Sequence, residues 1–201
     1  MTSSPRLRQR IRPWLGVATV LTAIGAIAVS DCAMAQTKAT PLSFVGMNFV
    51  HRWSKEGQNE FTPAADTDLA RWHDMVTVNV NDAVRNGDQL ADLANRVLTK
   101  YQAHGKIVRT DSKPRTPQRP AEHLIVALLG NPGFLEAAFA RLVLIDGAGV
   151  VAVYSHRIYG ENTAQPMGEW LERSGPSIEK ALMQWDGVPS VSALKQLPQS
   201  K

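Results

Sequence analysis

Three histidines are the residues of this chain whose positions are best suited to chemistry. His51, His123 and His156 each fall in a segment with the pattern of a β-strand, and strands are rigid supports from which imidazole groups converge on a transition metal. Glu122 or Glu136 would add a carboxylate ligand. No two of the histidines have a short ligand spacing, so their convergence depends on the order of the strands. A metal-dependent hydrolase is therefore one hypothesis, and ordinary sheet histidines are the other.

Other reactive side chains lack the context that catalysis requires. His73-Asp74 is a dipeptide that suggests a metal-dependent phosphohydrolase, but that chemistry places it on a helix with further ligands, and here it begins a strand. The nucleophile motif Gly-x-Ser-x-Gly does not occur in the sequence. Gly147-Ala148-Gly149 fits a hairpin turn better than a phosphate-binding loop. The sequence predicts neither a catalytic set nor a cofactor.

A run of basic residues crosses a predicted strand and the loop after it; its members are Lys106, Arg109, Lys113, Arg115 and Arg119. Residues 114–120 contain three prolines, which exclude a helix or an inner strand, and we call this segment the basic loop. Lys113, Arg115 and Arg119 are the candidate residues for binding an anionic surface or an acidic partner protein. The alternative is a loop whose charges are simply solvated.

A second set of charges, Glu136, Arg141 and Arg157, lies on neighbouring predicted strands. The simpler interpretation is a cross-strand ion pair. The functional interpretation is a charged cleft that holds an acidic ligand.

The first 35 residues have the three regions of a secretory signal peptide. Four arginines precede an apolar run over residues 14–29, and the small-x-small sequence Ala33-Met34-Ala35 follows. We predict cleavage after Ala35 and export, most simply to a bacterial periplasm. An uncleaved membrane anchor is the alternative, although the run is shorter than the ~20 residues that span a bilayer. Cys32 follows Asp31 rather than the small residue of a lipobox, so a lipoprotein is not expected.

Removal of the signal peptide changes the charge balance. The whole chain has 22 Lys+Arg and 18 Asp+Glu, and residues 1–35 hold four Arg and one Asp, so 18 basic and 17 acidic residues remain. This near neutrality gives no electrostatic case for nucleic acid binding. Cys32 is the single cysteine, so the exported chain would contain no disulfide. It also has no second apolar run of membrane length, and no transmembrane segment is expected in it.

A strand and a helix organise the predicted fold. Residues 75–80 alternate three valines with other residues, which is the period of a half-buried strand. Between Leu90 and Tyr101, apolar residues recur at spacings of three and four, which predicts an amphipathic helix. Short turns separate most of the strands. We therefore predict an α+β domain: a mainly antiparallel sheet, with one long central helix and C-terminal helices packed on one face.

The domain is predicted to span residues 36–186, followed by a flexible C-terminal tail over 187–201. Its first strand is assigned to residues 44–53. Residues 134–145 and 149–154 are assigned to a hairpin that turns at Asp146-Gly147. Ser174-Gly175-Pro176 is expected to interrupt the C-terminal helix, which restarts with the proline near its first position.

These elements resemble the PsbP-like and DcrB-like superfamily of small exported α/β domains. The matching features are the segment from Trp72 to Val78, the amphipathic helix after it, and strands that end in Tyr154-Ser155-His156-Arg157. The resemblance covers residues 45–185, implies an accessory or assembly role, and supplies no catalytic residues. The leading hypothesis is an exported periplasmic, non-enzymatic binding or accessory protein of the cell envelope. The alternatives are the metal-dependent hydrolase and an immunity or inhibitor protein against an exported toxin.

Overall fold

The computed structural model describes residues 42–201. The predicted signal peptide over 1–35, its cleavage after Ala35 and the position of Cys32 lie outside the described residues and stay predictions. Between residues 42 and 201, no helix has the length and apolar character needed to cross a bilayer.

Residues 42–201 contain eight strands and three helices. The strands are β1 (Leu42–Phe44), β2 (Met47–Lys55), β3 (Gln58–Pro63), β4 (Asp74–Asn81), β5 (Gly105–Lys113), β6 (Glu122–Asn131), β7 (Phe134–Ile145) and β8 (Ala148–Tyr159). The helices are α1 (Gly87–His104), α2 (Ala164–Met183) and α3 (Val191–Lys195). All strands belong to one sheet in the order β1-β2-β3-β4-β8-β7-β6-β5, and every neighbouring pair is antiparallel. The prediction of an α+β domain with a mainly antiparallel sheet is confirmed.

Two antiparallel meanders meet at the centre of this sheet. Strands β1 to β4 pair consecutively, and so do β5 to β8. β4 and β8 join the two meanders, with Asp74 opposite His156 and Asn81 opposite Gly149. Asp146 and Gly147 both have positive φ, 51° and 74°, as in the tight turns that match strand twist. The predicted hairpin of β7 and β8 is therefore confirmed.

The predicted strand over residues 44–53 is wrong at its start. Val45 and Gly46 have φ of 43° and 78°, so the chain reverses there and forms two strands, β1 and β2. Positive φ is rare for a β-branched residue such as valine. Val45 therefore gave no indication of the turn, whereas Gly46 is the residue type that favours it.

Helices cover both faces of the sheet. α1 packs Leu90 and Leu93 against one face, which includes Ala140 and Leu142. α2 and α3 pack on the opposite face, in the core cluster that includes Phe139. The predicted amphipathic helix corresponds to α1, which has 18 residues, and the C-terminal α2 is slightly longer, with 20. The prediction that all helices pack on one face is wrong, because α1 and α2 lie on different faces. The physical reason is that β6 to β8 have apolar side chains on both faces, and both must be buried.

α2 runs without interruption through Pro176, so the predicted break at Ser174-Gly175-Pro176 is wrong. The proline cannot donate a backbone hydrogen bond. Its neighbour Ser177 donates from Oγ to the Ser174 carbonyl oxygen at 2.7 Å. Met167 before the proline and Leu182 after it are both buried. Burial on either side therefore holds the two halves of the helix on the sheet.

Residues 187–201 do not form the predicted flexible tail. Ser190 accepts a hydrogen bond from the amide of Ala193 at 3.2 Å and so caps α3. Leu194 is 1% exposed and belongs to the core on the α2 face. The Ser200 amide donates to the Ser54 carbonyl oxygen at 2.7 Å, which ties the end of the chain to β2. The ordered domain therefore extends beyond the predicted boundary at residue 186.

α1 passes directly into β5 without a connecting loop. Asn86 begins the helix, because its Oδ1 accepts a hydrogen bond from the Gln89 amide at 2.9 Å. Gly105 has extended backbone angles, φ 179° and ψ −154°, and is the first residue of β5. A Cβ atom at this position would overlap the carbonyl group of Leu128. Glycine therefore lets the end of the helix lie directly against β6.

Candidate partner-binding edge

β5 forms one edge of the sheet and is exposed along nearly its whole length. Among residues 42–201, β6 is its only partner strand, and eight of its nine residues are exposed. Val108 lies at an irregularity in the register and is 47% exposed. The opposite edge is β1, which has only three residues. We call β5 together with the basic loop, residues 105–120, the basic edge.

A groove of about 350 Å³ lies between the basic edge and α2. Leu124, Pro176 and Met183 are its apolar lining residues. Charged residues come from both walls: Arg109, Asp111 and Lys113 from β5, and Glu179 and Lys180 from α2. The groove thus combines an apolar surface with charges of both signs, and basic groups are in the majority.

Two basic residues of the edge are already paired within the protein. Arg109 lies 3.1 Å from Asp111 Oδ2 and 3.3 Å from Glu179 Oε2. Lys113 Nζ lies 3.3 Å from Glu122 Oε2 and also donates to the Met183 carbonyl oxygen. Lys113, a predicted partner-binding residue, therefore holds the end of α2 to the sheet, and its charge is largely satisfied there.

The remaining predicted partner-binding residues, Arg115 and Arg119, are exposed in the basic loop. Thr116 and Arg119 exchange backbone hydrogen bonds of 2.8 and 3.3 Å, which hold the tip of the loop in a turn. Among residues 42–201, the basic side chains near this edge that form no ion pair are Lys106, Arg115, Arg119 and Lys180. These four charges remain available for a partner.

The structure does not bring the three predicted metal-binding histidines together. His123 is the register partner of Leu142 on the α1 face, whereas His156 stacks on Trp170 of α2 on the other face. His51 shares the α2 face, but two strands separate β2 from β8, a distance of about 14 Å at the usual strand spacing. In the part of the chain that the structure describes, no group of three or more His, Cys, Asp or Glu is placed to hold a metal ion. The strand order therefore removes the geometric basis of the three-histidine site.

Asp74, Tyr154, His156 and Trp170 form a compact polar and aromatic cluster on the α2 face. His156 Nδ1 donates to Asp74 Oδ1 at 2.9 Å, and the Tyr154 hydroxyl donates to the same oxygen at 2.6 Å. The rings of His156 and Trp170 are stacked, with centroids 4.1 Å apart and planes 7° apart. All hydrogen bonds of the His156 ring within residues 42–201 go to Asp74. The cluster thus joins β4, β8 and α2 and positions no nucleophile.

The charges inside this cluster act on one another. Burial alone would raise the pKa of Asp74, but hydrogen bonds from His156 and Tyr154, together with the charges of His156 and His73, hold it below its usual value. Burial and the Asp74 carboxylate raise the pKa of Tyr154. Asp74 is therefore stabilised as a carboxylate acceptor and Tyr154 as a neutral donor.

His51 and His123 make local hydrogen bonds. His51 Nε2 lies 2.7 Å from Ser54 Oγ, which itself donates to Asn59 Oδ1 at 2.7 Å. His123 Nδ1 lies 3.0 Å from Ser112 Oγ, and its buried Nε2 has no hydrogen-bond partner among residues 42–201. Burial lowers the pKa of both histidines. The Ser112–His123 pair therefore lacks the carboxylate that orients the base in a catalytic triad.

Glu136, Arg141 and Arg157 do not form a charged cleft. Glu136 and Arg157 are register partners joined at 2.8 Å, so the predicted cross-strand ion pair is confirmed. The Arg157 guanidinium also lies 3.8 Å from the centre of the Trp72 ring. Arg141 lies on the α2 face, where it pairs with Glu122 at 2.8 Å and donates to two carbonyl oxygens at the end of α2.

Lys180 is the member of the candidate site that the sequence analysis did not identify. It lies on α2, far along the chain from β5, and it reaches the groove only because the helix packs across the sheet. The buried neighbours Ile178 and Leu182 do indicate from the sequence that Lys180 is outside the core. The strand that it faces depends on tertiary packing.

Comparisons with known proteins support no assignment of family. No protein-family model and no curated protein matches the chain. A Pseudomonas aeruginosa protein of unknown function, PA94, described as a putative regulator, aligns at 13% identity with a TM-score of 0.43, over 72% of this chain and 92% of its own. The Saccharomyces cerevisiae Ran-binding protein Mog1p aligns at 12% identity with a TM-score of 0.42, over 68% and 79%. Human STARD10 aligns at 9% identity with a TM-score of 0.29, over 68% and 74%.

Proposed function

We propose that this protein is an exported, non-enzymatic accessory protein of the cell envelope that binds a partner through the basic edge. One observation carries the proposal: a nine-residue exposed edge strand lies beside four basic side chains that have no ion pair within residues 42–201. A charged side chain without a binding role is normally paired with an opposite charge or stands alone in solvent. Several unpaired basic side chains on one edge instead create a positive potential that attracts an acidic partner.

The other charged groups of the domain support this choice of surface. Arg141, Arg157 and Lys113 are held by carboxylates within the protein, so they contribute to folding rather than to recognition. Arg115 and Arg119 lie on a loop whose prolines and turn hydrogen bonds restrict its backbone. A restricted loop loses less conformational entropy on binding than a freely moving one.

The experiment that tests the binding surface replaces both loop arginines by serine, Arg115→Ser/Arg119→Ser. Material retained from envelope extract by the full-length protein is compared with that retained by the variant. Each exposed charge contributes on the order of 0.2–1 kcal/mol, so the loss of two charges should lower retention of the partner about two- to thirtyfold. Raising the salt from about 0.1 M to about 1 M should weaken wild-type binding, because the screening length falls from about 10 Å to about 3 Å.

The matched control is Arg85→Ser/Arg96→Ser, which removes the same charge from exposed positions near and on α1. Both variants should melt at the wild-type temperature, because none of the four arginines is buried. Equal loss of binding in both variants, or no loss in either, would show that the basic edge is not the binding surface.

The proposed location has its own test. Cells that express the full chain are fractionated, and the N-terminal sequence of the recovered protein is determined. We expect the protein in the envelope fraction with Gln36 as its first residue. A chain that begins at Met1 in the cytoplasmic fraction would rule out the export part of the proposal.

A further inference from the structure

We infer that the partner presents an extended acidic segment that pairs with β5 as a ninth strand of the sheet. This inference rests on the proposed function, because it specifies what the basic edge binds. The bound segment would combine backbone hydrogen bonds to β5 with carboxylates directed at the four unpaired basic side chains.

The backbone of β5 has the properties that strand addition requires. In an antiparallel ladder, alternate residues direct their N–H and C=O groups away from the paired strand. β5 ends the strand order and pairs only with β6 in the part of the chain that the structure describes. None of its nine residues is proline. Among residues 42–201, the Ser112 amide is the one β5 amide with a side-chain acceptor, Asp111 Oδ1 at 2.8 Å.

The charges on this edge select against a second copy of the same chain. β5 carries Lys106, Arg109, Asp111 and Lys113, and the basic loop adds Arg115 and Arg119. Two such edges side by side would bring two net-positive segments together, which is destabilising. An acidic strand would instead be attracted to this edge, because its carboxylates would lie in the positive potential of the basic side chains.

The groove beside β5 indicates the pattern of the incoming segment. Register places Arg109, Asp111 and Lys113 on the α2 face of β5, where they line the groove with Lys180. Successive side chains of an added strand alternate between the two faces. Acidic residues at every second position would therefore lie on the groove side, where Lys180 is the basic group without an ion pair among residues 42–201. The residues between them would lie beside the exposed Val108 and Thr110. The expected segment alternates acidic and β-branched residues.

The test uses two synthetic peptides of nine residues, the length of β5. One alternates Glu and Val from end to end; the other has the same Glu residues but Pro in place of every Val. Both carry the same charge, but the Pro peptide cannot pair as a strand. We expect the Glu–Val peptide to bind the full-length protein at least tenfold more tightly, and to slow hydrogen exchange at residues 105–113 but not at the other edge, β1.

Charge dependence is tested with Lys106→Glu/Lys180→Glu, which should weaken binding of the Glu–Val peptide at least tenfold. Lys55→Glu/Lys100→Glu is the matched control, because both lysines are exposed and lie outside the basic edge. The control should bind the peptide almost as well as the wild type. A melting curve for each variant confirms that the fold is unchanged.

Three results would overturn the inference, and they differ in what they leave of the proposed function. Equal binding of the two peptides would show recognition of charge without strand pairing, and the basic edge would remain a binding surface. Binding of phosphatidylglycerol-containing vesicles by the wild type, with no binding of either peptide, would replace the acidic segment by a lipid surface. Failure to bind peptides, vesicles and envelope components alike would refute the proposed function together with the inference.

Discussion

Asp74 and His156 are register partners on β4 and β8, and His156 Nδ1 donates to Asp74 Oδ1 at 2.9 Å. Their hydrogen bond joins the two meanders of the sheet at one end of their common boundary. Tyr154 donates to the same carboxylate oxygen, and Trp170 extends the contact to α2. The ionisation of Asp74 is therefore coupled to the stability of the central strand pair.

The lowered pKa of Asp74 predicts a loss of stability in acid. Its folded-state pKa lies below the ordinary value of about 3.9, so the folded protein binds fewer protons than the unfolded chain in this range. The stability that Asp74 contributes is complete when the pH is above its ordinary pKa. That stability is lost as the pH falls through the lowered pKa of the folded state. Asp74→Asn should flatten the fall in stability as the pH drops from neutral through the ordinary aspartate pKa and below it.

Urea unfolding at a series of pH values measures this effect. Asp92→Asn is the control, since Asp92 is exposed on α1. If the free energy of unfolding of Asp74→Asn varied with pH as that of the wild type does, the ionisation of Asp74 would not contribute to stability.

Arg141 is predicted to be the most sensitive charged residue. It is 6% exposed, pairs with Glu122 and donates to two carbonyl oxygens at the end of α2. Arg141→Met should cost about 3–5 kcal/mol, because it leaves a buried carboxylate and helix carbonyls without their donor. Arg109→Met should cost less than about 1 kcal/mol, since Arg109 is largely exposed.

The double variant Arg141→Met/Glu122→Met separates the two causes of that loss. Removal of both charges eliminates the unpaired carboxylate, so the double variant should be more stable than Arg141→Met alone. Chemical denaturation of the three proteins provides the comparison. A double variant that is less stable than the single one would show that the ion pair itself is not the main contribution of Arg141.

Gly105 is predicted to be required at the junction of α1 and β5. Gly105→Ala should cost about 1–3 kcal/mol, because the new methyl group would overlap the Leu128 carbonyl and force the backbone to move. Gly130→Ala is the control, since a Cβ there has open space around it, and its effect should stay within about 0.5 kcal/mol. Thermal melting compares the two variants. Similar melting temperatures for Gly105→Ala and Gly130→Ala would contradict the close approach of Gly105 to the Leu128 carbonyl group.

Leu194 tests whether the C-terminal residues belong to the core. Leu194→Ala should cost about 2–5 kcal/mol, the usual range for a fully buried leucine. Gln196→Ala, at an exposed position of the same segment, should have little effect. A Leu194→Ala protein that melts like the wild type would mean that the tail contributes nothing to folding.

Patterns that are local in the sequence predicted much of the fold. The alternation in β4, the apolar stripe of α1 and the turn at Asp146-Gly147 each reflect a rule about neighbouring residues. The covered faces could not be inferred in this way, because they depend on contacts between distant parts of the chain, such as that of Phe139 with Trp170 of α2. Continuous apolar runs in β6 and β7 were the available signal, since strands covered on one face alternate instead.

The candidate site was predictable to a similar degree. The prolines of residues 114–120 predicted an exposed loop, and Arg115 and Arg119 are exposed. The ion pair between Lys113 and Glu122 was not predictable, because it requires the register of β5 on β6. The separation of His51, His123 and His156 likewise follows from strand order, which the sequence patterns do not specify.

The meeting of the two meanders at β4 and β8 has a consequence for the kinetics of folding. Within each meander, consecutive strands pair, so their contacts close short loops and form early. The contact between Asp74 and His156 spans 82 positions of the chain, and closing so long a loop costs more entropy before any contact forms. We expect the pairing of β4 with β8 to limit the rate of folding. Substitutions along this pair should then slow refolding more than equally destabilising substitutions in the hairpin turns.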